Sequence, residues 1–147
     1  MIARLVLGAA LLAFATGAAP VPAAGDDALE LSFTNLRSAK GNLLICITAD
    51  PAFFPDCSND PDKRFLTVSA RRPSLTVKGL TQPRYAVSAH HDENANDRLD
   101  TFAGIPKEGI GFSRNPRVTF GPPGFDRVAL TIASAPHAQT VRMQYFL

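Results

Sequence analysis

The chain has 147 residues, 46% hydrophobic and 19% charged, which suits one domain with an ordinary core and leaves little room for two. Fifteen basic residues against 13 acidic give a net charge of only +2, too little for a polyanion binder, so no nucleic acid is expected as partner. Twelve prolines and ten glycines argue for turns and short strands over long helices.

Residues 1–24 read as a signal peptide. Arg4 is the only charge before Asp26, and the apolar run from Leu5 to Ala15 has the length of a signal-peptide core. Val21-Pro22-Ala23-Ala24 offers the small side chains needed for cleavage after Ala23 or Ala24. The run is too short to span roughly 30 Å of hydrocarbon, and no cationic stop-transfer cluster follows it. No membrane span is therefore expected after cleavage, and residues 25–147 are expected as one periplasmic or secreted domain. Export also colours the reading of Cys46 and Cys57, the only cysteines. An oxidising compartment favours a disulfide bond between them over two buried thiols, and two cysteines with no nearby histidine cannot complete a zinc shell.

From Leu29 the apolar period is two. Leu29, Leu31 and Phe33 alternate with Glu30, Ser32 and Thr34, the pattern of a strand buried on one face. A turn over 38–42 leads to a second strand carrying Leu43, Ile45 and Ile47. Short helical turns are expected near Ala52–Phe54 or Pro61–Lys63. Phe65–Arg71 and Leu75–Lys78 predict two strands split by the breaker Pro73. Tyr85, Val87 and Ala89 share one face of the next, which ends at His90-His91. Val118–Phe120 predicts a short strand, Val128, Leu130 and Ile132 a clear one, and Val141, Met143 and Tyr145 the last. Seven to eight strands with Gly/Pro punctuation predict an all-β fold, an antiparallel β-sandwich. Residues 101–126 break the rhythm with nine Gly or Pro, yet they also carry Phe102, Phe112, Phe120 and Phe125. Linkers seldom hold so many large apolar anchors, so a long ordered loop pinned by its aromatics is expected after the central strand.

The densest polar cluster is 90–100, His-His-Asp-Glu-Asn-Ala-Asn-Asp-Arg-Leu-Asp. Asp92, Asn94 and Asn96 supply oxygens at positions 1, 3 and 5, the Arg98 carbonyl at 7 and Asp100 at 9, which matches the start of a calcium loop. Position 6 is Asp97 instead of Gly, and position 12 is Ala103 instead of a bidentate Glu. The alternative is a metal-free turn, because Asp and Asn side chains cap backbone N–H groups and tolerate left-handed conformations. His90 and His91 are neighbours on a strand and face opposite ways, so they cannot chelate one ion as a pair.

The run Tyr85-Ala-Val-Ser-Ala-His-His-Asp-Glu-Asn-Ala-Asn-Asp-Arg-Leu-Asp100, followed by Gly104-Ile-Pro-Lys-Glu-Gly-Ile-Gly-Phe-Ser113, resembles a bacterial exported family, domain of unknown function 2141. Pro122-Pro123-Gly124-Phe125, the Leu-Arg-Ser-Ala-Lys-Gly turn at 36–41 and Phe54-Pro55 also look like it. The resemblance implies a periplasmic or secreted β-sandwich of immunoglobulin-like or prealbumin-like type with no established activity. Pro83-Arg84 and Asp97 depart from the pattern, both standing where the family usually has Gly.

Three functions are compatible with these residues. The first is a binding module whose loops over 90–126 form a ligand or calcium-type site rimmed by His90, His91, Lys107, Glu108, Phe112 and Arg114, the ligand being a small molecule or an envelope protein. The second is a structural or assembly domain of the cell envelope. The third, a hydrolase, draws on Ser113, a histidine and Asp92, or on Glu93 and Glu108 as acid and base. Gly111-Phe-Ser-Arg-Asn115 is no nucleophile elbow, however, and no complete motif supports catalysis. Arg71, Arg72, Arg84, Arg114, Arg117 and Arg127 are scattered over strands and loops and are expected to keep the surface soluble.

Overall fold

The computed structural model describes residues 28–132 and 137–147, and the expected signal peptide lies outside them. In chain order the first strands are β1 (Leu29–Thr34), β2 (Asn42–Thr48), β3 (Arg64–Ser69), β4 (Ser74–Val77) and β5 (Arg84–Asp92). Then come β6 (Thr101–Phe102), β7 (Ile105–Pro106), β8 (Gly109–Phe112), a four-residue helix α1 (Phe125–Val128), β9 (Leu130–Thr131) and β10 (His137–Arg142).

One sheet has the order β10-β1-β4 and the other β3-β2-β5-β8, with β9 on the start of β5 and β6-β7 forming a small separate hairpin. The period of two puts Leu29, Leu31 and Phe33 opposite Leu43, Ile45, Ile47, Val87 and Ala89, with Val141 and Met143 closing the core between the sheets. The all-β sandwich architecture is thus as the alternation predicts. Within it, β1 pairs antiparallel with β4 but parallel with β10. The turn at 35–41 joins strands of different sheets, as does the short connection between β3 and β4.

β2 and β5 are buried on both faces, because a second layer covers the outer side of their sheet. Phe54, Ile110, Val118 and Phe125 pack there around Ala86, Phe112 and Val128, with the Phe54 ring 5.9 Å from Phe112 and 6.2 Å from Phe125. The Cys46–Cys57 disulfide ties the segment after β2 to that face, and the Thr48 and Ser88 hydroxyls donate to the Asp60 carboxylate and the Pro55 carbonyl. A 3-10 turn at Pro51–Phe53, capped by Asp50, matches the helical turn expected there.

After β10 the chain crosses to the other sheet. Gln144 and Ile110 exchange both backbone hydrogen bonds, at 2.7 and 2.9 Å, which joins the sheets beside β8. Along the rim of β10 the Asn115 amide donates to the Thr140 carbonyl and accepts from the Arg142 N–H. The opposite side, between β3 and β4, carries no strand pairing among the described residues.

Four local expectations are corrected. Val118–Phe120 forms no strand, and Phe120 is 98% exposed, so it pins nothing. Val128 ends α1 rather than opening a strand, which leaves β9 only two residues. The last strand lies earlier than expected, and Met143 and Tyr145 follow it. Residues 101–126 are no single loop: they contain β6, β7, β8 and the start of α1, and of the four aromatics only Phe112 and Phe125 pack inward while Phe102 is 67% exposed. β8 escapes an alternation test because two of its four residues are glycines. Both are required by close approach, since a Cβ on Gly109 would stand 2.5 Å from the Tyr145 ring and one on Gly111 2.8 Å from the Met143 sulfur.

Candidate functional site

Between the end of β5 and the start of β8 the chain folds into a cap, and two buried carboxylates hold it. Asp92 is fully buried, and its oxygens accept from the N–H groups of Asn96 at 3.1 Å and Asp97 at 2.8 Å. These bonds need the chain to reverse sharply, and Ala95 and Asp97 both sit in the left-handed region, at φ 56° and 59°. Asp97 therefore occupies a conformation that glycine adopts freely and an aspartate tolerates. Glu108, also buried, accepts from the N–H groups of Glu93 and Asp100, each at 3.1 Å, and so clasps both ends of the loop.

The remaining polar side chains tighten the same turn. Asp100 accepts from the Asn96 and Asn94 side-chain amides, which hold its carboxyl below the usual range, Asn96 more than Asn94. Asn94 and Asn96 in turn accept from the N–H groups of Asn96 and Arg98. The Asp92, Asn94, Asn96 and Asp100 oxygens are thus directed at N–H donors of the loop itself. Among the described residues no three His, Cys, Asp or Glu side chains gather as a metal-holding group.

Arg37, on the turn after β1, locks the cap to the rest of the molecule. Its guanidinium donates to Glu93, to the Leu147 carbonyl and to the Lys107 carbonyl, each at 2.8 Å, and lies 4.7 Å over the Tyr145 ring. Burial alone would raise the Glu93 carboxyl, but hydrogen bonds from Arg37 and then Ser38 outweigh it and hold that group below the usual range.

His91 is fully buried beneath this network. Its Nε2 lies 2.8 Å from the Lys40 carbonyl, which only accepts, so Nε2 carries the proton and Nδ1 accepts from the Tyr145 hydroxyl at 2.8 Å. The same hydroxyl accepts from the Arg37 N–H. His90 faces the other side of the sheet. Its buried Nε2 has no hydrogen-bond partner among the described residues, and burial pushes the ring below its ordinary pKa despite nearby Glu108 and Asp92.

Of the six expected rim residues, Lys107 and Glu108 belong to the cap, although Glu108 lies beneath it. His91 is wholly internal, and Phe112 is buried in the second layer. Phe112 and Arg114 stand at the far end of β8, about 10 Å or more from Gly109 by the rise of a strand. The structure therefore divides the expected rim between two places. Ser113 belongs to the far one: its buried hydroxyl donates to the Val128 carbonyl at 2.5 Å and accepts from the Val87 N–H at 3.1 Å. It pairs beside Val87, about 13 Å along β5 from His91, too far for a nucleophile–base contact.

What the cap presents outward is a shallow groove and a tip. Arg37, Lys40, Asn94, Asp100, Lys107 and Leu147 line the groove, with Glu93 and Glu108 at its floor. The tip is the β6–β7 hairpin, whose two-residue turn, Ala103-Gly104, has both φ angles positive, the geometry that matches the twist of paired strands. The hairpin exposes Phe102 and Ile105, and Leu99, two residues before it, is exposed as well. Arg37, Ser38, Gly41 and Tyr145 are the structural partners that reasoning from sequence missed; the 36–41 turn in the resemblance holds the first three, and nothing marked Tyr145 as their partner. Gly41, at φ 67°, is needed because a Cβ there would stand 1.9 Å from the Asp92 carbonyl oxygen.

A family model described as an uncharacterized protein conserved in bacteria matches residues 31–140. No curated protein and no solved structure matches the chain.

Proposed function

The chain belongs to domain of unknown function 2141, a family of uncharacterized bacterial proteins, and from that footing we propose that it is an exported, non-catalytic binding module acting through the cap over 92–108. The observation that carries this reading is the use of two buried carboxylates, Asp92 and Glu108, to fix four backbone N–H groups of a surface loop. A loop held so firmly loses little conformational freedom when a ligand arrives, which raises affinity without adding contacts. It offers the exposed Leu99, Phe102 and Ile105 beside a polar groove, a mixed surface suited to an envelope protein. The apolar run at 5–15 and the Cys46–Cys57 bridge support export. No helix among the described residues is long and apolar enough to cross a membrane.

The cap works as a hydrogen-bonded turn, so adding calcium to the mature protein leaves its melting temperature unchanged. A rise of several degrees, abolished by D92A with D100A, would establish a calcium loop instead. Binding is tested by placing a photo-crosslinking residue at position 102 in intact cells, with position 120 as the control. Adducts specific to 102, lost when E108A loosens the hairpin base, support the module. Equal labelling at both positions, or none, returns the cap to a purely structural role.

A further inference from the structure

Charge is unevenly distributed along this chain. From Lys63 to His91 there are six cations, Lys63, Arg64, Arg71, Arg72, Lys78 and Arg84, and no carboxylate. That stretch contains β3 and β4, the outermost strands on the side where the two sheets do not join.

The direction of the β3 edge follows from one bond. The Ala70 N–H donates to the Gly41 carbonyl at 3.1 Å, so the 41/70 pair is hydrogen-bonded. Antiparallel alternation then makes 43/68, 45/66 and 47/64 the bonded pairs of β2 and β3. The N–H and C=O groups of Phe65 and Thr67, and the N–H of Ser69, consequently point away from β2. The Ser69 carbonyl is already taken by the Arg72 N–H at 2.9 Å. Leu66, Val68 and, across the open side, Leu75 are only partly buried against the core, and Phe65 is 50% exposed on the outer face.

We infer that the β3 edge accepts an extended acidic segment of a partner polypeptide as an added strand. Its backbone pairs with Phe65, Thr67 and Ser69, and its apolar side chains, at alternate positions, cover Leu66, Val68 and Leu75. Its carboxylates meet Lys63 and Arg64 at one end of β3 and Arg71 and Arg72 at the other, about 20 Å apart by the rise of six residues. Cations along a free edge also repel like strands, which keeps copies of this chain from pairing with one another while leaving an acidic strand welcome. This surface is separate from the cap and independent of the function proposed for it.

The probe is a synthetic peptide alternating glutamate with valine, fluorescently labelled and titrated by anisotropy against the mature protein. Saturable binding is expected, weakened by added salt and reduced at least about tenfold by R71E with R72E. A peptide N-methylated at alternate amides carries the same charge but cannot pair as a strand, and it should not bind. That comparison leaves the protein unaltered, so it decides the matter even where the double variant unfolds. No binding overturns the inference. Equal binding of the methylated peptide, of disordered polyglutamate or of a sulfated polysaccharide also overturns it, since any of these shows plain charge attraction.

Discussion

At the scale of single residues, Asp92 shows why an acidic motif need not mean chemistry. A carboxylate in a site that water does not reach must be hydrogen-bonded, and here the loop's own N–H groups do that. D92A should lower the unfolding free energy by roughly 2–4 kcal/mol, the range for two hydrogen bonds to a charged acceptor, as read by urea denaturation. A loss below about 1 kcal/mol would mean that the Asn96 and Asp97 amides find other acceptors. The spacing of Asp92, Asn94, Asn96 and Asp100 was legible in the sequence. The direction of their oxygens was not, because an Asx side chain caps a backbone amide or binds a cation at the same spacing. Arg37 and Tyr145 left no local pattern to read, since they meet only in the folded chain.

Acid sensitivity also belongs to this scale. Burial holds His90 below 6.5, so the unfolded chain takes up a proton before the folded one does. Stability therefore falls as pH drops from about 6.5 towards the folded value. Glu93, held below the usual carboxylate range, contributes stability that is complete above its unfolded pKa and is lost as pH falls through its folded one. H90Q should abolish the loss of urea midpoint between neutral and mildly acidic buffer while leaving the loss at lower pH. An unchanged profile in H90Q would assign the upper limb to another group.

At the scale of elements, the period of two marked the strands, and β1, β2, β3, β4 and β5 lie close to where it puts them, although β2 and β5 turn out to be buried on both faces. The misread stretch, 101–128, fails for a definite reason. Its order comes from glycines that admit a close neighbour and from aromatics whose inward or outward direction the sequence does not encode. Phe112 and Phe120 look alike in the chain and have opposite fates. F112A should cost about 3–5 kcal/mol by emptying the second layer, whereas F120S should fall within about 0.5 kcal/mol of the native value. Parallel thermal melts distinguish them, and equal shifts would contradict the packing described.

For the molecule as a whole, the outer layer depends on a staple as well as on packing. Cys46 and Cys57 are both buried, and their bond closes a loop 11 residues apart in sequence. Reduction under mild denaturant should lower stability by about 3 kcal/mol, seen as a drop in melting temperature that C46S with C57S reproduces. A melting temperature indifferent to reductant would place the second layer's stability in Phe54, Phe112 and Phe125 alone.

The parallel register of β1 with β10, from Leu29 beside His137 to Thr34 beside Arg142, has a kinetic meaning. These partners are separated by more than a hundred residues, so the entropy of closing that span is lost before their contacts form. A growing chain cannot finish its first sheet until β10 has been made, and until then β1 has only β4 as a partner within that sheet. Such wiring keeps the first sheet unfinished, and the core it covers open, until the last strand is in place.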